Sequence, residues 1–338
     1  MSGQPPQIVI DPQLRDMPEF RLPPALIESL KIGISLLKIE ITSEGIRSGL
    51  FASDGSGYEK DVDPVGENFK ISSRFFDTER RLTLTHTQVV KKECYPNTRT
   101  LQCIIASLRE DIEVDHMVYN AVYTPSIRYT VLNMEIFNQL RMQYCCGMFK
   151  SFEEKEAKGW APLKVKKFSV EFDGTKRCED EVKTIMQHIQ LIGPKEIVFN
   201  SPRDRPEPFK MGIQDIYEEP TWKSARKFTM GEGFYVELSY MPVQFLHFVQ
   251  CSISIHHLPI EILRKMLMNY KDKNTLEFES MKMKIVMEEG WDNVKRVMYV
   301  PTEKPYERVS KTCVKYEGRL LCDVADNMLT ITQADSLV

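Results

Sequence analysis

Between positions 165 and 285, one spacing of apolar residues occurs five times along the chain. Each copy consists of an apolar residue, two other residues, an apolar residue, any residue and a last apolar residue. The copies are Val165-x-x-Phe168-x-Val170, Pro194-x-x-Ile197-x-Phe199, Ala225-x-x-Phe228-x-Met230, Phe248-x-x-Cys251-x-Ile253 and Phe278-x-x-Met281-x-Met283. The last two apolar positions of each copy lie two residues apart, which is typical of one buried face of a strand. The pattern therefore predicts five strands.

The middle apolar residues of these copies are about 23 to 31 residues apart, which leaves room for a turn, a helix and a return segment. This is the period of leucine-rich repeats. We predict an α/β fold, with an irregular leucine-rich-repeat-like curved sheet and helices on one side. The alternative is an α+β domain with irregularly spaced strands, because Pro194 and Ala225 are weak apolar positions.

The first half of the chain predicts an α+β region. A short helix is expected at Ala25–Lys31 after two prolines, and alternating residues predict a hairpin of Leu36–Thr42 with Ile46–Ala52. Arg81–Val90 alternates in the same way and predicts a further strand. Val131–Ala157 has apolar residues about every fourth position, which predicts a long helix.

These patterns divide the chain into four expected regions. Residues 1–35 form an extended and short-helical N-terminus, and residues 36–160 form the α+β region that ends in the long helix. Residues 161–290 form the repeat region, with helices expected at Cys178–Ile189 and Leu258–Tyr270. Residues 291–338 form C-terminal strands, a hairpin and a tail, with the hairpin strands at Thr312–Tyr316 and Arg319–Val324.

The composition is that of a soluble globular protein. Of 338 residues, 42% are hydrophobic and 28% are charged, and the net charge of −3 gives no overall attraction to nucleic acid. No apolar run is long enough to predict a membrane span. Met1–Pro6 lacks the features of a secretory signal, and the eight cysteines include no C-x-x-C pair. We expect reduced thiols in a cytoplasmic or nuclear protein.

Candidate chemistry is sparse. The six histidines include no HExxH motif, and the adjacent His256 and His257 point to opposite sides of an extended chain. The chain also contains no phosphate-binding loop and no G-x-S-x-G motif. We therefore expect no enzymatic activity, no cofactor and no metal site.

Four segments occur in an order that resembles the FTH domain of nematode F-box proteins, also described as domain of unknown function 38. They are LKVKKFSVEFDG (Leu163–Gly174), PKEIVFN (Pro194–Asn200), TWKSARKFTM (Thr221–Met230) and FLHFVQCSISIHHLPIEIL (Phe245–Leu263). The residues that fill the family's positions are Trp222, Lys223, Ala225, Phe245, His247 and Phe248. The resemblance covers roughly residues 163 to 286.

The resemblance implies a non-catalytic protein–protein interaction protein, similar to the substrate-recognition part of an F-box ubiquitin-ligase adaptor. In that family an N-terminal F-box docks onto the adaptor of a cullin-type ligase, and the FTH domain selects substrates. Here only Met17–Leu30 looks like the opening of an F-box, because a strand pattern begins at Leu36. The F-box is therefore expected to be degenerate or missing.

The expected partner-binding surface consists of the outward-facing positions of the five strands, since repeat sheets commonly bind through one face. These positions are Ser169, Glu171, Val198, Asn200, Thr229, Ser252, Ser254, Lys282 and Lys284.

Three alternatives stay open. The first is a complete ligase adaptor that uses residues 17–34 as a divergent F-box. The second is an enzyme with a cluster of titratable residues on the α/β scaffold. The third is an RNA-binding surface, although nucleic acid is not the expected partner. It would join the lysines within Leu163–Lys167 to Arg226, Lys282 and Lys284 in one positive stripe.

Overall fold

The structure is a computed structural model, and it shows a mixed α/β chain that is rich in strands and has few helices. It describes residues 23–42, 45–65, 68–91, 112–121, 161–171, 176–201, 208–212, 215–237, 244–274, 277–286, 306–310, 313–316, 319–325 and 328–334, with single positions between 138 and 159 and position 294. The first part of Met17–Leu30, the possible opening of an F-box, and most of the predicted helix Val131–Ala157 lie outside these residues.

Four helices are described from end to end. They are α1 (Pro24–Ile32), α2 (Lys176–His188), α3 (Pro220–Ser224) and α4 (Ile260–Tyr270). Helices α1, α2 and α4 confirm the three shorter helices that the sequence predicts. Of the long predicted helix, the described positions from 138 to 157 are helical.

Helix α1 precedes all of the strands, and helices α2, α3 and α4 are interspersed with strands in the second half of the chain. The strands are β1 (Ile34–Thr42), β2 (Gly45–Ala52), β3 (Gly57–Val65), β4 (Asn68–Phe76), β5 (Leu82–Lys91), β6 (Glu113–Ala121), β7 (Leu163–Glu171), β8 (Ile189–Asn200), β9 (Phe209–Lys210), β10 (Lys227–Met230), β11 (Phe234–Tyr235), β12 (Gln250–Ile255), β13 (Ser280–Ile285), β14 (Tyr306–Arg308), β15 (Cys313–Tyr316), β16 (Leu320–Ala325) and β17 (Met328–Gln333).

The chain divides into two compact units. The first comprises Met1–Phe168 and Gln187–Ile192, and the second comprises Ser169–Met186 and Gly193–Val338. The division therefore passes through β7 and β8. The C-terminal strands belong to the same unit as four of the five predicted repeat copies, and the first copy is divided between the units.

In the first unit, β1 to β5 form consecutive antiparallel pairs, and β6 pairs with β1 in parallel. This confirms the predicted hairpin of β1 and β2. Strands β3 and β4 lie where the pattern predicts no strand. In β3 the charged Glu59 and Asp61 alternate with inward residues, and both carboxylates contact Arg74 of β4, at 3.1 and 2.7 Å. These cross-strand ion pairs stabilise β3 and β4, but they do not appear in the apolar alternation from which a strand is predicted.

In the second unit, β8, β10, β12 and β13 are adjacent and parallel. Their register places Ile197 beside Phe228, Phe228 beside Cys251, and Cys251 beside Met281. These are the middle anchors of four predicted copies, and all four are buried. The parallel strands are confirmed where the spacing predicts them. Strands β17, β16, β15 and β14 continue the sheet beyond β13 in antiparallel order, which confirms the predicted C-terminal hairpin.

An aromatic cluster fills the buried side of this parallel sheet. The indole of Trp222, from α3, is fully buried, and its ring centroid lies 4.9 Å from that of Phe228 and 5.2 Å from that of Phe248. The Trp222 Nε1 donates a hydrogen bond to the carbonyl oxygen of Gln244 at 3.1 Å. Burying this large ring against the strand anchors places α3 on the anchor side of the sheet. The opposite face of the four strands is therefore the one available for contacts.

Candidate functional site

Two rows of side chains cross the outward face of the four parallel strands. Because parallel strands in register align equivalent positions, each row contains one residue from each strand. The first row is Val198, Thr229, Ser252 and Lys282. The second row, two residues earlier in each strand, is Glu196, Lys227, Gln250 and Ser280.

All of these residues except Val198 line a shallow groove of about 370 Å³ on the second unit. Its polar lining includes Lys227, Thr229, Gln250, Ser252 and Lys282. Thr229 and Lys282 are exposed, and Gln250 and Ser252 are half-buried. The groove therefore offers hydroxyl, amide and ammonium groups to solvent above a floor of buried anchors. We refer to this surface, the two rows of four residues, as the strand groove.

The charges of the strand groove are of both signs. Glu196 and Lys227 are register partners on neighbouring strands, and Glu279 adds a second carboxylate beside β13. Lys282 is flanked across the sheet by the uncharged Ser252 and Thr330. A surface of this kind can bind a partner through hydrogen bonds and mixed ion pairs rather than through one strong field.

The predicted partner-binding residues do not all reach this surface. Val198, Thr229, Ser252 and Lys282 share one row of the strand groove. Asn200 and Lys284 are exposed one step further along their strands, and Lys284 forms an ion pair with Glu232 at 3.2 Å. Glu171 is half-buried at the end of β7.

Two predicted outward residues are buried. Ser254 is 7% exposed because the segment after β10 returns beside the end of β12, where the Val236 amide donates to the Ser254 carbonyl at 2.9 Å. Ser169 is 6% exposed and lies between the buried Phe168 and Val170, so strict alternation fails in β7. Neither side chain is available on the surface as the sequence pattern predicts.

The sequence interpretation also missed half of the strand groove. Glu196, Lys227, Gln250 and Ser280 lie two residues before the predicted outward positions of their strands. The alternation of side chains along a strand places them on the same face. They lie inside the predicted copies, each directly before the middle apolar residue, so applying the alternation on that side of the middle residue would have identified them.

The cations of the RNA alternative are divided between the two units, with Lys164, Lys166 and Lys167 in the first and Arg226, Lys282 and Lys284 in the second. Arg226 lines a different depression from Lys282. In the first unit, Lys166 contacts Asp115 at 2.9 Å and Glu113 at 3.4 Å. The hydrogen bond and charge of Asp115 raise the pKa of Lys166, so its positive charge is already compensated locally.

Side chains that could bind a metal ion are not clustered in the described part of the chain. Among these residues, no three His, Cys, Asp or Glu side chains are placed to hold a metal ion. The five described cysteines are not joined in disulfides, and four of them are buried. Burial raises the pKa of the Cys251 thiol well above its usual range. Such a thiol is a core residue rather than a nucleophile.

No family model, curated protein or solved structure matches the chain. Within the described residues, no helix is both long and apolar enough to cross a membrane.

Proposed function

We propose that this protein is a non-catalytic protein–protein interaction protein, similar to the substrate-recognition part of an F-box ubiquitin-ligase adaptor. Its partner would bind in the strand groove. The observation that carries the proposal is the alignment of Val198, Thr229, Ser252 and Lys282 in one accessible row above buried anchors. A row with one residue from each strand is how repeat sheets present a binding surface.

The proposal includes a curved, leucine-rich-repeat-like arrangement of the parallel strands. Its support is the strand order β8-β10-β12-β13, in which each strand is followed in space by the next copy of the pattern. Helix α3 lies between β8 and β10 in the sequence, and α4 lies between β12 and β13. Helices on one side and short returns on the other produce curvature in solenoid proteins.

We propose a recognition protein rather than a complete ligase adaptor. Helix α1 has nine residues and ends at Ile32, and β1 begins at Ile34. Two apolar residues of α1, Leu26 and Leu30, are buried, each with 5% exposure. An adaptor-binding helix would need its apolar face available to a partner. The exposed Ile27 and Ile32 of α1 do not form a face of that size.

The test is capture of partners from cell extract by the full chain and by groove variants, read by quantitative mass spectrometry. Thr229→Arg and Ser252→Arg would each place a long cationic side chain in the strand groove. Thr85→Arg on β5 is the matched control, because Thr85 is an exposed strand threonine in the first unit. We expect the same protein to be captured by the unsubstituted chain and by Thr85→Arg, and to be lost from both groove variants.

Equal capture by all four proteins would contradict binding in the strand groove. The ligase question is decided separately, by titrating the purified cullin adaptor protein into the full chain. The recognition proposal expects no saturable binding. Saturable binding that the exposed change Ile32→Asp abolishes, while another exposed change on the same helix, Glu28→Ala, leaves it intact, would favour the complete adaptor.

A further inference from the structure

A second depression, of about 450 Å³, lies in the same unit where α3 leads into β10 and where the chain enters β12 and β13. It shares no lining residue with the strand groove. Its polar lining consists of Lys223, Ser224, Arg226, His247, Lys273 and Glu277. We refer to it as the cationic cavity.

The charge of this lining is mainly positive. Three cations, Lys223, Arg226 and Lys273, face one carboxylate, Glu277, among the described lining residues. Lys223 also forms an ion pair at 2.6 Å with Glu218, which lies outside the lining and compensates part of the Lys223 charge. A concave surface that gathers several cations concentrates anions from solution.

Lys273 is held in place within the cavity. Its Nζ donates a hydrogen bond to the Leu246 carbonyl at 2.5 Å and lies 5.5 Å from the ring centroid of Tyr270. An ammonium group carries three donors, so one carbonyl does not exhaust its capacity. Burial lowers the pKa of Lys273, which means that the surrounding groups solvate its charge less well than water does.

His247 is held next to it. Its Nε2 donates to the Trp222 carbonyl at 2.9 Å, and its ring packs on Phe248 with 4.0 Å between ring centroids. Burial lowers the pKa of His247, and the positive charge of Lys273 lowers it further. The surroundings therefore disfavour the charged forms of His247 and Lys273. A bound anion would favour the charged forms and raise both pKa values.

We propose that the cationic cavity binds a phosphoryl anion, either inorganic phosphate or a phosphate monoester, through Lys223, Arg226, Lys273 and His247. A guanidinium group and two ammonium groups match the charge and the several acceptor oxygens of a tetrahedral dianion. A carboxylate, with a single charge and two oxygens, would use fewer of these donors. The proposal is independent of the strand groove, because the two sites share no residue.

The experiment is a titration of the full chain with inorganic phosphate, and separately with phenyl phosphate, at constant ionic strength with chloride as the balancing anion. Binding is followed through the NMR signals of the His247 ring, which are assigned with a His247→Gln variant. We expect saturable binding that raises the pKa of His247. We expect Lys273→Met and Arg226→Ala each to weaken binding by about tenfold, since each removes a charge-assisted hydrogen bond.

The matched control is Lys265→Met, which removes an exposed lysine from α4 outside the cavity. It should leave the affinity unchanged, and circular dichroism should show that all variants fold. Tighter binding of phenyl phosphate than of inorganic phosphate would assign the site to a monoester, and the reverse order would assign it to the free anion. The proposal is overturned if neither ligand saturates at millimolar concentrations, or if Lys273→Met and Arg226→Ala bind as tightly as Lys265→Met.

Discussion

Trp222 should contribute more to the stability of the second unit than any exposed side chain of that unit. Its indole is fully buried among the rings of Phe199, Phe228, Phe245 and Phe248, with centroid distances from 4.9 to 6.1 Å. Replacing a buried tryptophan with alanine removes its apolar contacts and leaves a cavity, which costs about 3–5 kcal/mol. We expect Trp222→Ala to lower the free energy of unfolding by that amount.

Trp222→Phe separates packing from hydrogen bonding. It keeps a ring in the cluster but removes the donor to the Gln244 carbonyl, which is worth about 0.5–1.5 kcal/mol, and some ring contacts. We expect a loss of about 1–2 kcal/mol. Met268→Ala is the control, because Met268 is a large apolar residue of the same unit that is 56% exposed.

The assay is urea unfolding followed by far-UV circular dichroism, with every transition recorded because the two units can unfold separately. With a slope of about 2 kcal/mol/M, Trp222→Ala should lower a midpoint by about 1.5–2.5 M. Met268→Ala should change it by about 0.25 M or less. A Trp222→Ala midpoint as close to the unsubstituted protein as that of Met268→Ala would refute the central role of this cluster.

Three further outcomes are expected. Gly45 has a φ of +146°, and a side chain there would meet the backbone of β3. Gly45→Ala should therefore lower the free energy of unfolding, measured by thermal denaturation, by about 1–3 kcal/mol. Gly49→Ala should lower it clearly less, because a side chain at Gly49 would meet only movable side chains. Because burial lowers the pKa of His247, the unfolded chain takes up its proton first. Stability should therefore fall as the pH drops through about 6.5, and fall less in His247→Gln. A double-mutant cycle on the exposed pair Lys284–Glu232 should give a coupling of less than about 1 kcal/mol, and a larger value would contradict its solvent exposure.

The sequence predicts the parallel strands well because the residue pattern that identifies each strand lies within a few consecutive positions. Ile197, Phe228, Cys251 and Met281 each belong to a short alternation of buried and outward residues, and this alternation is visible without knowledge of any contact. Equivalent positions of neighbouring parallel strands lie side by side. The row of outward residues that contains Thr229 could therefore be predicted from the sequence.

Other features depend on distant contacts and could not be predicted in this way. The burial of Ser254 is caused by a returning segment whose path no spacing indicates. Strand β3 carries charges whose partner, Arg74, lies on the next strand. The cationic cavity joins Arg226, His247 and Lys273, which come from three separate connections between elements. Only the folded chain brings these three side chains together.

The register of the strand groove also bears on how such a surface can diversify. Val198, Thr229, Ser252 and Lys282 each lie on a separate strand, and each is flanked in sequence by buried residues that hold its strand in place. A substitution at one of these four positions changes one contact point and leaves the packed anchors untouched. Selection can therefore alter the chemistry of the proposed binding surface one strand at a time, without a loss of stability that would oppose each step.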